Sequence, residues 1–473
     1  MLGWFWPQIN GDVKRQELQH SDLTNQITTL RAQLEQLTKL TEKILAKVDR
    51  NTIANIGGER RDPVLAAQFE VARESGLTVD ELKKRLAAEN ADIRQIIWAI
   101  DTHRLAAHAQ ADDWTRLQRE ALTKLGNTEY AAAHYSAAIE PYRQALALID
   151  EKKEPLVWCD TAQNLGVALY AQGRYAEAEP LARQVNETRT ALQGKEHPNT
   201  LASVNNLATL LADKGDYAGA EPLFRRALEA HERTLGKEHP NTLASVNNLA
   251  ILLSDKGDYA GAEPLFRRAL EAQGRTLGKE HPDTLRSVNN LANLLRDKGD
   301  YADAEPLYRR AMDLQERTLG KEHPATLASV NNLATLLADK GDYAGAEPLC
   351  RRALEAQERT LGKEHPDTLA SANNLANLLF KKGDYAGAEP LYRRALEARE
   401  RTLGKEHPDT IGTAFNFSLL REKQGRMTEA LDLAKQAVAG AQKSLPESYP
   451  LRQRCEKYLA ELQAQIAQAK AKP

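Results

Sequence analysis

Between residues 198 and 236 the apolar side chains fall in two helical stripes separated by a glycine. Leu201, Val204, Leu207, Ala208 and Leu211 recur at three- and four-residue steps, which places them on one face of an α-helix. Pro198 suits the first turn of that helix, where a missing N–H has no partner to lose. Gly215 ends it, because glycine adopts a left-handed cap cheaply. Asp216 then caps a second helix, which carries Tyr217, Ala220, Phe224, Ala227 and Leu228 and runs to Leu235. Pro222 stands about one turn inside it and predicts a bend or a loosened first turn. The small residues Ala208 and Ala220 allow close approach, so the pattern predicts an antiparallel helix pair.

That pair is one unit of a repeat. The string Gly194-Lys195-Glu196-His197-Pro198 returns at Gly236, Gly278, Gly320, Gly362 and Gly404, a period of 42 residues. Two neighbouring units differ only at Thr209/Ile251, Ala212/Ser254, His231/Gln273 and Glu232/Gly274. A fixed period of this length predicts a solenoid, in which each unit buries its apolar face against the next. First helices of five near-identical units begin near residues 198, 240, 282, 324 and 366. Weaker units flank them, one with Gly126, Tyr135 and Tyr142, one with Asn164, Gly173 and Tyr175, and one with Asn416, Gly425 and Ala430. An amphipathic stretch at 452–470 is expected to cover the last unit.

The spacing of Val204, Leu207, Ala208, Leu211, Gly215, Tyr217, Ala220, Phe224 and Ala227 resembles the tetratricopeptide repeat. The strings Asn205-Asn206-Leu207-Ala208 and Asp216-Tyr217 through Ala220-Glu221-Pro222-Leu223 resemble its kinesin light chain type, over about residues 116–440. The resemblance implies an all-α fold, a right-handed solenoid of helical hairpins over 113–446 closed by a capping helix over 447–473. It says little about the partner.

The first 110 residues follow another pattern. Leu23, Ile27, Leu30, Leu34, Leu37, Thr41, Ile44 and Val48 alternate four- and three-residue steps, a heptad seam with one polar position. Residues 12–50 are therefore expected to form a coiled coil that makes the protein a homo-oligomer; a lone amphipathic helix is the alternative. Residues 51–63, with Gly57-Gly58, read as a linker, and 64–112 as a helical connector with helices near 64–75, 78–89 and 91–110. Residues 1–11 hold Trp4, Phe5 and Trp6, a tip that docks a partner or membrane interface, or is buried by the oligomer.

Composition narrows the function. The chain carries 64 basic and 66 acidic residues, so no net field favours nucleic acid or an anionic membrane. Membrane contact is expected only through the aromatic tip. Cys159, Cys350 and Cys455 show no pairing or metal spacing, which with no apolar run of spanning length predicts a cytoplasmic protein. The Gly-Lys pair of the repeated loop lacks the rest of a phosphate-binding motif. His197, His239, His281, His323, His365 and His407 each stand alone in a unit, which fits a turn or cap and not a shared ion. Cys350 takes the place of Phe224 and reads as core. No catalytic residue, metal or cofactor is expected.

The remaining candidate is a surface. Ala202, Asn205, Asn206, Thr209, Ala212 and Asp213 lie opposite the core stripe of the first helix. The resemblance implies that this side lines a concave groove in which the asparagine at the place of Asn206 contacts the backbone of a bound peptide. That role carries to Asn164, Asn206, Asn248, Asn290, Asn332 and Asn374, with Asn416 at the end of the series and the preceding Asn205, Asn247, Asn289, Asn331 and Asn373 beside them. Bracing of neighbouring helices is the structural alternative for these amides. Differences among the five units concentrate on the same face, at Arg286, Asn293, Arg296, Asn377, Phe380 and Lys381, while the equivalents of Arg225, Arg226 and Arg233 never change. These residues are expected to set specificity, the arginines favouring an acidic segment and Phe380 an apolar anchor. The sequence thus predicts an adaptor that holds a protein or peptide ligand; a self-assembling structural protein or the sensing subunit of a larger complex are the alternatives.

Overall fold

The computed structural model describes residues 111–471, and all regular structure in it is helical. The heptad seam, the linker, the connector helices and the aromatic tip lie outside the described residues. The chain divides into two compact units at Ala168/Leu169.

In the first unit α1 (Ala111–Ala131) and α2 (Tyr135–Ala147) form a hairpin, followed by α3, which spans Pro155–Ala171. A Cβ on Gly126 would stand 2.5 Å from the Tyr142 ring, so only glycine admits this packing. The same tyrosine donates to Asn127 Oδ1 at 2.7 Å.

The second unit continues with α4 (Tyr175–Gln193), α5 (Pro198–Asp213), α6 (Tyr217–Leu235), α7 (Pro240–Asp255), α8 (Tyr259–Thr276), α9 (Pro282–Asp297) and α10 (Tyr301–Thr318). It is completed by α11 (Pro324–Asp339), α12 (Tyr343–Thr360), α13 (Pro366–Lys382), α14 (Tyr385–Thr402), α15 (Pro408–Lys423), α16 (Met427–Ser444) and α17 (Pro450–Ala471). From α5 onward each odd-numbered helix up to α15 is the first, or A, helix of a hairpin and the next is its B helix. The boundaries follow local chemistry. Each loop histidine is an N-cap: His197 Nδ1 accepts from the Asn199 N–H at 3.2 Å, and His239, His281, His323, His365 and His407 repeat the bond. Gly215 has φ +87°, the left-handed value that stops the A helix, and Asp216 Oδ1 accepts from the Gly219 N–H at 2.9 Å to start the B helix. The B helix runs unbroken through Pro222, because the proline deprives only the exposed first-turn carbonyl of Ala218 of its donor.

The apolar stripe forms the core, with Leu201, Val204, Leu207, Ala208 and Leu211 all at most 2% exposed. Cys350 lies in the same core, where burial, and then Glu347, push its thiol up to about 11. At the C-terminal end Leu462 of α17 enters a cluster with Ala430 and Ala434, flanked by Leu431, Tyr458 and Ile466.

Candidate functional site

Successive A helices of the second unit pack on one another, whereas their B helices meet chiefly the A helices on either side. The A layer is therefore the tighter one and forms the inner side of the curve. The face singled out from the sequence lies there: Asn206, Thr209 and Asp213 are half-buried, and so are Asn248, Asn332, Asn374 and Asn416, while Asn164, also half-buried, stands on α3 in the first unit.

The two asparagines of each pair have different surroundings. Asn247 is fully buried and donates to Ser287 Oγ of the next A helix at 3.1 Å. Asn289 donates to Ser329 at 2.6 Å, and Asn331 to Ser371 at 2.7 Å. Two of those serines pass the chain of bonds on, Ser329 donating to Gln315 Oε1 at 2.5 Å and Ser371 to Gln357, while Ser287 returns its bond to Asn247 Oδ1 at 3.5 Å. The first asparagine thus belongs to a buried relay joining an A helix, the next A helix and the B helix between them. Asn205 and Asn373 hold the same place, each with a buried amide oxygen lacking a partner. The second asparagine is spared this duty. Asn206, Asn248, Asn290, Asn332 and Asn374 make no side-chain hydrogen bond among the described residues, and Asn290 Nδ2 is buried unpaired.

Beside the second asparagines, the A helices end in a column of carboxylates. Asp213 accepts from the Tyr170 hydroxyl, and Asp339 from Lys381 Nζ at 2.8 Å. Between them Asp255, whose edge stays exposed, has its carboxyl pushed up to about 7, first by partial loss of water among the surrounding helices and then by Asp213 and Asp297 on either side.

Most of the residues expected to set specificity have partners inside their own repeat, whereas Lys381 reaches Asp339 of the preceding one. Arg286 pairs with Asp283 at 2.8 Å, and Arg296 with Asp297 at 2.8 Å. Asn293 accepts from the buried Tyr308 hydroxyl and Asn377 from that of Tyr392. Tyr stands at 308 and 392, the units where Asn stands at 293 and 377; Phe224 and Phe266 accompany Thr209 and Ile251. This covariation was open to inspection in the sequence and went unread there. Phe380 lies 5.7 Å from the Tyr385 ring.

Most of the unchanging arginines are held in ion pairs. Glu221 binds Arg225 at 2.7 Å and Lys256 of the next hairpin at 2.5 Å, and these two cations hold its carboxyl below the ordinary carboxylate range. Glu263, Glu305 and Glu347 repeat the arrangement. Arg268 reaches Glu232 at 2.5 Å and Arg275 reaches Glu238 at 2.6 Å. Ion pairing thus gives a structural cause for the constancy of most of these arginines, though not of Arg226, whose Nε and Nη2 are buried without a partner. Among the described residues no group of three or more His, Cys, Asp or Glu could hold a metal, and no helix is long and apolar enough to cross a membrane.

A family model described as tetratricopeptide repeat matches residues 159–218, 201–274, 243–317, 283–344, 326–401 and 367–443, together more than half of the chain. No curated protein matches. Among solved structures, the chain is similar to the nearly identical TPR-like repeats of a Podosopora anserina protein assigned as a kinesin light chain, at 31% identity over 44% of this chain and 98% of that one, with a TM-score of 0.37. It is also similar to BtubC (BKLC) from P. vanneervenii, at 24% identity over 50% of this chain and 93% of that one, TM-score 0.39. A Rap protein complexed with competence and sporulation factor matches at 15% identity over 83% of this chain and 99% of that one, TM-score 0.44.

Proposed function

The chain belongs to the tetratricopeptide repeat family, and from that premise we propose that it is a protein–protein interaction adaptor holding an extended partner segment along the inner face of its A helices. The observation that carries this reading is the row Asn206, Asn248, Asn290, Asn332 and Asn374, whose amides have no partner among the described residues. An amide offers two donors and an acceptor, so such a row can satisfy the backbone of an extended chain without reading its side chains. Arg286 and Arg296 are each paired with an aspartate of their own helix, so an acidic ligand segment must displace Asp283 or Asp297 to use them. Along α5 and α7 the face instead presents Asp213 and Asp255, which suits a segment carrying donors. Phe380 and Lys381 border the far end of the face.

Self-association through the heptad seam at 12–50 would display several such faces at once and raise avidity for a repeated ligand. The three described cysteines are free and buried, in keeping with a reducing compartment.

A pull-down from native lysate tests the reading, comparing wild type with Asn248, Asn290 and Asn332 all replaced by Ala. A partner held by wild type and lost by the folded triple variant supports it. Equal retention by both removes these asparagines from the binding site.

A further inference from the structure

Within the second unit the chain meets itself at a long sequence interval. Gln172 Nε2 donates to the Thr402 carbonyl at 3.0 Å, across 230 residues. A Cβ on Gly173 would stand 2.9 Å from Pro408 Cδ and 3.1 Å from His407 Cδ2, and His407 hydrogen-bonds the backbone of Ala171. One hairpin further along both partners the contact recurs: a Cβ on Gly215 would meet the Tyr449 ring at 3.2 Å. In both places the turn between the helices of one hairpin receives the loop between two later hairpins.

Both halves of this contact exist in surplus. The docked loop reads Arg401-Thr402-Leu403-Gly404-Lys405-Glu406-His407-Pro408, and the same eight residues stand at 233–240, 275–282 and 317–324. Leu403 is 4% exposed and His407 6%, whereas Leu235 is 40% exposed. The His239 side is exposed, and the His281 side chain remains 39% exposed. Leu277 and Leu319 are half-buried, so the docked loop is the most buried copy of an otherwise partly exposed set. The docked turn Lys214-Gly215-Asp216 likewise recurs at 256–258, 298–300 and 340–342. A Cβ on Gly257, Gly299 or Gly341 would meet nothing within 4 Å.

We propose that these uncovered edges dock on a second copy of this chain, the turns at 256–258, 298–300 and 340–342 of one protomer receiving the loops at 233–240, 275–282 and 317–324 of its partner. The contact is the one that residues 171–173 and 402–408 make within a single chain. Because the near-identical hairpins share one spacing, several turn–loop contacts engage in register, and their sum exceeds any one of them. The two edges differ, so the association is heterologous and propagates into a filament unless it closes. It uses the loop edges and leaves the A-helix face open, and so stands apart from the partner binding proposed above.

Site-specific disulfide trapping on the full-length chain tests this. Lys256→Cys and Leu235→Cys, at the positions equivalent to Gln172 and Leu403, are made as separate proteins; the native cysteines are buried and give little background. Mild oxidation of the mixture is expected to yield a disulfide-linked pair several-fold above either protein alone. Leu235, Leu277 and Leu319 all replaced by Glu are expected to abolish sedimenting species larger than the oligomer set by residues 12–50, with helicity unchanged. No excess cross-link in the mixture, or sedimentation indifferent to the triple replacement, overturns the proposal.

Discussion

Asn293 and Tyr308 share one hydrogen bond inside a hairpin whose sister units place Thr209 and Phe224 there. Removing the hydroxyl alone leaves a buried amide oxygen unpaired, whereas replacing both partners restores the apolar pair. Tyr308→Phe is expected to cost about 1 kcal/mol, and the double variant Asn293→Thr/Tyr308→Phe to recover most of it, with the cycle read by urea denaturation. Asp255 makes a second prediction at this scale. Its raised carboxyl keeps a proton up to about pH 7 in the folded chain, where the unfolded chain has already lost it. Stability therefore falls as pH rises from the ordinary carboxylate range through that value. Asp255→Asn is expected to raise the melting temperature at pH 8 and leave it unchanged at pH 4; an exposed side chain limits the gain to about 1 kcal/mol. The variable positions of the A helix are legible in the sequence, but their partners lie fifteen residues on, in the B helix, beyond the reach of any pattern along one helix. Two of the six specificity candidates, Asn293 and Asn377, thus have a packing reason to vary.

Individual helices were legible because their signals are local. Proline after histidine, glycine at the left-handed cap and aspartate before tyrosine each act within one turn of chain, and each lies where the pattern places it. The relay between helices is not local. Ser329 takes a bond from Asn289 and gives one to Gln315, so three elements depend on one hydroxyl. Ser329→Ala is expected to cost about 2–3 kcal/mol by leaving two buried amides short of a partner, and Asn332→Ala, on the open face, under about 0.5 kcal/mol. Equal losses on thermal denaturation would contradict the division between first and second asparagines. The adjacent letters Asn-Asn hide that division, since it depends on how far the next A helix has rotated. Constancy of Arg225 and its equivalents misled for a related reason: the glutamate and lysine that hold the ladder lie one turn before the arginine and one hairpin beyond it.

Across the whole molecule, the 42-residue period made the solenoid readable, because a repeat that cannot bury its own face must stack. Curvature was not readable, since small rotations at each interface accumulate before Gln172 reaches Thr402. Stability in such an array is close to a sum over neighbours. Leu462→Ala, in the cluster joining α17 to α16, is expected to cost about 2–4 kcal/mol locally. Amide hydrogen exchange should then quicken in α16 and α17 and stay slow in α7 to α11; uniform loss of protection would mean the array unfolds as one. The central claim is that a partner lies on the inner face of the A helices. A photo-reactive side chain at Ala328 on that face, compared with one at Arg309 on the outer B helix, tests it most directly, both positions being exposed. Irradiation in lysate is expected to yield a discrete adduct from position 328 and none from 309. The same adduct from 309 alone would place the partner on the outer helices and contradict the account.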